Sequence, residues 1–220
     1  MPVPIRVILE VTSAKTFATA ADWPGWSRGA RTEAEALASL AAYAPRYAPV
    51  ARAAGFELPP TDPDDGTFDV VDRVEGSSGT SFGVPSHVAP SDREPLDEAG
   101  AARRAALVEA AWTTFERIAR DAPAGLRKGP RGGGRDTAKI VTHVEEADRA
   151  YAAEIGIPVE LRGARADLAT ARAAILAVLR RPTDGSPLAG RRWTARYAAA
   201  RVAWHALDHA WEIEDRSGPG

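Results

Sequence analysis

WTARYAAARVAWHALDHAWEIEDR, residues 193–216, is the stretch that decides the fold of the larger part of this chain. Its large apolar residues recur at alternating spacings of four and three, which places them along one side of a helix. The residues of this stripe are Trp193, Tyr197, Ala200, Trp204, Leu207 and Trp211. Such a stripe is typical of a helix packed in a bundle. We therefore predict a long final helix that closes a bundle of helices.

Three further helices are predicted upstream of this stretch. The first covers residues 96–122 and has apolar residues at helical spacing. The second begins at a cap provided by Asp136 or Thr137 and ends at Gly156. The third covers residues 164–181 and is stopped by the proline that follows. Four helices joined by loops of roughly ten residues predict a four-helix bundle.

The N-terminal part has a different pattern. Ile5–Val11 is rich in β-branched residues and predicts a strand. A second strand runs into a turn at Pro24, Thr32 caps a helix, and a further strand lies within residues 67–76. These elements predict a small α/β unit with a short antiparallel sheet.

The chain as a whole is therefore predicted to be an α+β protein. Residues 1–76 form the small N-terminal α/β sheet module, and residues 95–220 form an up-down four-helix bundle. Residues 77–94 are rich in Ser, Gly and Pro and are interpreted as a linker, in which His87 is an incidental exposed histidine.

Composition limits the possible functions. The 220 residues are 45% hydrophobic and 26% charged, with a net charge of −2, so charge gives no case for binding nucleic acid or a membrane surface. The chain has no cysteine, which excludes disulfides, thiolate nucleophiles and Cys-ligated zinc. Neither a secretion signal nor an apolar run of membrane-spanning length is visible, and we expect a cytoplasmic protein.

Three of the four histidines lie in predicted helices. His205 and His209 are four residues apart and therefore share one helix face, and His143 lies on the second bundle helix. Three imidazoles can hold a divalent metal with positions left open for water or substrate. Carboxylates follow each histidine at helical contact distance, at Glu146 and at Asp208 and Glu212. An exposed helix carrying paired histidines and carboxylates is the alternative interpretation.

Residues from about Pro95 to Arg216 resemble the DinB-like superfamily, also called YfiT-like metalloenzymes. The resemblance rests on His143 in THVEEADRAY and on His205 and His209 in WHALDHAWE. It implies a four-helix bundle in which these three histidines bind a divalent metal. Mycothiol-dependent maleylpyruvate isomerases and the iron-binding domain of ergothioneine sulfoxide synthases look like relatives. The latter carry a glutamate two residues after the last histidine, where this chain has a tryptophan.

The resemblance implies a metal-dependent transferase or hydrolase that acts on a small molecule, anionic or a low-molecular-weight thiol. Three imidazoles suit Zn, Ni, Fe or Co alike, so the sequence does not name the metal. Glu146 or Asp208 could act as a general base, although orientation of the ligating imidazoles is the more common role of such carboxylates.

A basic, glycine-rich loop precedes the second bundle helix. RKGPRGGGR places Arg127, Arg131 and Arg135 around three consecutive glycines. Such a loop could bind the carboxylate or phosphate of a substrate that enters the metal site. A solvated connection between helices is the alternative interpretation. The loop sequence does not fit the Walker pattern of nucleotide-binding proteins. Nucleic-acid binding is not favoured either, because no aromatic residues are interleaved with the basic ones.

TAADWPGWSRGARTEAEALASLAAY, residues 19–43, resembles the HicB-like antitoxin fold. The resemblance rests on Asp22, Pro24, Gly25, Gly29, Thr32, Glu35, Ala36 and Leu37. We interpret this module as a scaffold, or as a dimerisation module of a homodimer, because the chain has no evident DNA-binding segment. A non-catalytic interaction protein, in which this module recognises a partner, is therefore the alternative to a metalloenzyme.

Overall fold

The computed structural model describes residues 4–61, 67–129 and 134–217. Over these residues the protein is α+β, with one four-stranded sheet and eight α-helices. The strands are β1 (Ile5–Val11), β2 (Thr16–Ala20), β3 (Ser27–Ala30) and β4 (Phe68–Glu75). The helices are α1 (Glu33–Ala42), α2 (Ala44–Ala53), α3 (Ser78–Phe82), α4 (Glu98–Asp121), α5 (Thr137–Glu154), α6 (Val159–Arg162), α7 (Leu168–Leu179) and α8 (Ala195–Ser217).

The sheet is mixed, with the strand order β3-β2-β1-β4. β2 pairs antiparallel with both β1 and β3, whereas β4 pairs parallel with β1. The expected antiparallel sheet is therefore wrong at β4. The reason is that α1 and α2 carry the chain back across the sheet before β4 begins, which is the crossover that a parallel pair requires.

The turn between β2 and β3 fixes the sheet against α8. Gly25 has a φ of +93°, and a Cβ atom there would lie 2.7 Å from Leu207 Cδ1. Only glycine combines this backbone conformation with such a close approach. The indole nitrogen of Trp26, next in the chain, donates to the carbonyl of Leu40, and its ring stacks on Tyr47 at 5.4 Å. The two tryptophans near the turn, Trp23 and Trp26, are buried and pack inside the module.

The predicted capping of α1 is confirmed. Thr32 accepts from the backbone N–H of Glu35, and Glu35 accepts from that of Thr32, which together form a capping box. α1 ends before Tyr43, where Pro45 begins α2 as one of its first residues. Pro49 lies inside α2.

Residues 77–94 are tied to the sheet. They contain α3 and a short 3₁₀ helix, and they cover the end of β1. Glu10 of β1 is only 4% exposed and accepts from the backbone N–H groups of Ser86, at 2.9 Å, and His87, at 3.2 Å. His87 is thus held against a buried carboxylate.

The four long helices lie where the sequence predicts them. The stripe on α4 (Leu107, Ala111, Phe115 and Ile118) is fully buried. α8 packs along α4 and also contacts α5 and α7. On the side of α8 that faces the sheet, the ring of Trp204 packs edge-on against that of Phe17 of β2, with 6.2 Å between the ring centroids. One hydrophobic core extends from the sheet through α8 into the other helices, so α8 is the central element of the molecule.

Over the residues described, no helix is both long enough and apolar enough to cross a bilayer.

Candidate metal centre

Three histidines converge between α5 and α8. His143 on α5 and His205 on α8 approach with 3.2 Å between their Nε2 atoms. His209 lies one turn further along α8, and its ring centroid is 4.7 Å from that of His205 and 5.0 Å from that of His143. One nitrogen from each ring lies within 4.8 Å of the other two, which is close enough to hold one metal ion. The convergence expected from the sequence is confirmed.

Helix packing explains this geometry. The buried face of α5 contains Ile140 and Val144, which anchor it in the core. His143 immediately precedes Val144 and therefore lies at the edge of this face, toward α8. His205 is only 7% exposed, whereas His143 and His209 are partly accessible. The site is thus buried at one side and open at the other.

Burial keeps two of the imidazoles neutral. It lowers the pKa of His205 to about 2, and the neighbouring His209 lowers it further. Burial also lowers the pKa of His143, again with a contribution from His209. A neutral imidazole has a nitrogen lone pair available for a metal, whereas a protonated one has none. At neutral pH His143 and His205 therefore each have a nitrogen lone pair that could bind a cation.

Glu212 orients His209. The Nδ1 atom of His209 lies 2.8 Å from Glu212 Oε2, and Arg216 donates to Glu212 Oε1 at 2.7 Å. The hydrogen bond from His209 is the main cause that lowers the pKa of Glu212. An ionised Glu212 favours the tautomer of a neutral His209 that carries its proton on Nδ1, and this tautomer has its lone pair on Nε2, as in carboxylate–histidine–metal arrangements.

The other two carboxylates have different positions. Asp208 forms a salt bridge with Arg28 of β3 at 3.1 Å and has no hydrogen bond to His205, which the sequence places beside it. The Nδ1 atom of His205 is buried and has no hydrogen-bond partner among the residues that the structure covers. Glu146 is exposed and lines an open groove together with His143.

The arginines of the basic loop do not lie together. Arg135 lines the groove beside His143, and its charge contributes to the lowered pKa of both His143 and His205. Arg127 lies instead at the end of α8, where its guanidinium donates to the carbonyl of Asp215. Arg131 lies outside the described residues.

Three residues near the site were not expected from the sequence. Lys139 lines the groove beside His143. The ring of Tyr151 lies 5.6 Å from that of His205, and Arg201 precedes His205 by one turn of α8. Their helical spacing of four or eight from the site histidines was the available signal, because residues at such spacings share a helix face.

Comparison with protein-family models, with curated proteins and with solved structures gives no match. The chemistry of the site therefore has to be argued from its own residues. These supply three imidazole nitrogens, an orienting carboxylate and a groove with two cationic side chains.

Proposed function

We propose that this chain is a DinB-like metalloenzyme in which His143, His205 and His209 hold a divalent metal, with Zn, Ni and Fe as the candidates. The observation that carries the proposal is the convergence of one nitrogen from each ring to within 4.8 Å. Three imidazoles with open coordination positions are typical of catalytic rather than structural metal sites. A bound divalent ion would supply a Lewis acid and lower the pKa of a water or thiol beside it.

The chemistry of the cluster supports a cation rather than a purely structural role. The Nε2 atoms of His143 and His205 face each other at 3.2 Å, and at most one of two neutral nitrogens in such a pair can donate to the other. A third ring, that of His209, brings another nitrogen to the same place. Packing alone does not require three hydrogen-bonding groups to converge on a common point, whereas a metal does.

The surroundings suggest which groups would handle the substrate. Arg135 and Lys139 line the groove that opens onto His143, which favours an anionic small molecule or a thiolate. Glu146 lines the same groove and is the better candidate for a general base, because Asp208 is paired with Arg28. We infer a transferase or hydrolase, and a low-molecular-weight thiol is one class of co-substrate.

Metal analysis tests this proposal, since the chain contains a matched control. Purified wild-type protein should contain one metal ion per chain, and His143→Ala, His205→Ala and His209→Ala should each lose most of it. His87→Ala, which removes the fourth histidine, should keep the wild-type content. If His205→Ala retains as much metal as His87→Ala, the proposed site is wrong.

The enzymatic part has a separate test. Hydrolysis of small esters and amides, and transfer of low-molecular-weight thiols to electrophiles, would be screened with the wild-type protein. Any activity found should disappear with a chelator, return when a divalent metal is added back, and be absent in His205→Ala. Activity that survives both treatments would contradict a metal-dependent mechanism.

A further inference from the structure

A second feature of α8 lies beside the histidine cluster. A small cavity separates α8 from the sheet, and Ile8, Tyr197, Arg201 and Trp204 are among its lining residues. Its volume of about 30 Å³ suits about two water molecules or the head group of a small anion. Arg201 precedes His205 by one turn of α8, so Arg201 and His205 share a helix face and the cavity lies one turn from the histidine cluster.

Arg201 is a cation that has no acidic partner among the residues that the structure describes. Its guanidinium lies 4.7 Å from the ring centre of Trp204 and 5.2 Å from that of Tyr151, which holds it between two aromatic faces. No salt bridge or hydrogen bond joins its side chain to the part of the protein that the structure describes, and its Nη1 atom is buried without a partner. A guanidinium in this position can still form charge-assisted hydrogen bonds.

Trp204 supplies a second free donor at the same cavity. Its indole Nε1 atom is also buried and without a hydrogen-bond partner over the described residues. Buried N–H donors in folded proteins are nearly always paired, and two unpaired donors on lining residues of one cavity therefore indicate an acceptor. The ligand that suits a cation and a neighbouring N–H donor is an oxyanion.

The acidic residues of the cavity are already engaged. Glu10 accepts the backbone N–H groups of Ser86 and His87, and Asp92 accepts that of Ala89 at 2.9 Å. These carboxylates are thus held by the segment that covers the sheet, and neither is paired with Arg201. They leave its charge available to a ligand.

We propose that Arg201 and the indole N–H of Trp204 bind the carboxylate group of a small organic acid. Binding of the carboxylate requires only the residues of the cavity. That the acid is the substrate, with its carboxylate held one helical turn from His205, rests on the metal-dependent function proposed above. The structure in this way points to small carboxylic acids as the substrate class.

The test follows the indole N–H resonance of Trp204 in the ¹⁵N-labelled full chain, assigned with Trp204→Phe. Acetate, at constant ionic strength, should shift this resonance to saturation, and its neutral analogue acetamide should not. Arg201→Gln should weaken acetate binding about tenfold or more, because a charge-assisted hydrogen bond is lost. Arg180→Gln changes an exposed arginine that pairs with Glu109, and it should bind acetate as the wild type does.

Three results would overturn the proposal: equal shifts with acetate and acetamide, wild-type affinity in Arg201→Gln, or equal weakening in Arg201→Gln and Arg180→Gln. The first would mean that the site does not distinguish an anion from a neutral molecule of the same shape. If Arg201→Gln does not fold, Arg201→Lys replaces it, and an unchanged affinity for acetate would overturn the role of the guanidinium fork. The metal content of each variant, measured in parallel, separates failure of this site from failure of the histidine cluster.

Discussion

Two buried polar clusters lie side by side on α5, and they differ in how completely their hydrogen bonds are satisfied. Asp148 is 1% exposed and accepts from the indole nitrogen of Trp112 at 3.2 Å and from Arg172 Nε at 2.8 Å. Arg172 also pairs with Glu116 on α4. This cluster joins α4, α5 and α7 and carries no unpaired buried polar atom among the described side chains.

The histidine cluster is the opposite case. His143 lies five residues before Asp148 on the same helix, yet its ring meets other imidazole nitrogens instead of a complementary charge. Structural polar groups and candidate ligand-binding groups of this protein thus differ in how fully their hydrogen bonds are satisfied. The Asp148 cluster is complete without a ligand, whereas the histidine cluster offers lone pairs to something else.

The largest effect is expected from breaking the complete cluster. Arg172→Met leaves Asp148 and Glu116 without their cation and should lower the free energy of unfolding by about 3–5 kcal/mol, as for other broken buried pairs. Chemical denaturation would measure this loss. The metal content per folded chain should stay at the wild-type value, because no histidine is touched.

Arg180→Gln is the matched control for this prediction. Arg180 follows α7 and forms an exposed pair with Glu109, so its loss should cost at most about 1 kcal/mol. A similar cost for the two variants would show that Arg172 does not hold α4, α5 and α7 together through Asp148.

The same cluster should make stability depend on pH. Burial raises the pKa of Asp148 from 3.8 to about 6, so between these values the folded protein binds a proton that the unfolded chain does not. Its contribution to stability is therefore present below pH 3.8 and is lost as the pH rises through about 6. The wild type should therefore lose stability relative to Asp148→Asn as the pH rises from 3.8 to 7.

Unfolding free energies of both proteins across this pH range would measure the difference. A constant difference, or one of the opposite sign, would contradict the burial of this carboxylate.

A smaller effect is expected at the orienting carboxylate of the histidine cluster. Glu212→Gln replaces an ionised acceptor of the His209 Nδ1 proton with a neutral amide, and should weaken metal binding about 10- to 100-fold. Competition with a chromophoric chelator would measure the affinity. Glu214→Gln, which changes an acid on the same helix that pairs with Arg46, should leave the affinity unchanged.

The smallest effect is expected at Asp208. Because Asp208 pairs with Arg28 and not with His205, Asp208→Asn should change metal affinity by less than about twofold. The same chelator competition applies. A loss as large as that of Glu212→Gln would show that Asp208 orients a histidine, as the sequence spacing suggests.

Local patterns made much of this structure predictable. The helices α4, α5, α7 and α8 follow from apolar spacing, and the capping box at Thr32 follows from its neighbours. His143, His205 and His209 were recognisable because histidines are few and two of them share a helix face. That His143 converges with His205 and His209 depends on how α5 packs against α8, which helical spacing alone does not determine.

Features that depend on long-range pairing were not predictable. The direction of β4 is set by the crossover through α1 and α2, not by its own residues. The buried position of Asp148 depends on partners from two other helices, although it follows Val144 at helical spacing. In the sequence, nothing distinguishes Arg201 from a surface arginine. Its position between the rings of Tyr151 and Trp204 is visible only in the folded protein.

The most direct test of the account is the X-ray absorption spectrum of the metal bound to the purified protein. Three histidine ligands predict nitrogen neighbours at about 2.0–2.1 Å for zinc, together with the outer-shell scattering of imidazole rings. An unchanged spectrum in His87→Ala, together with loss of the bound metal in His209→Ala, would confirm the site. A spectrum with only oxygen neighbours and no imidazole scattering would contradict it.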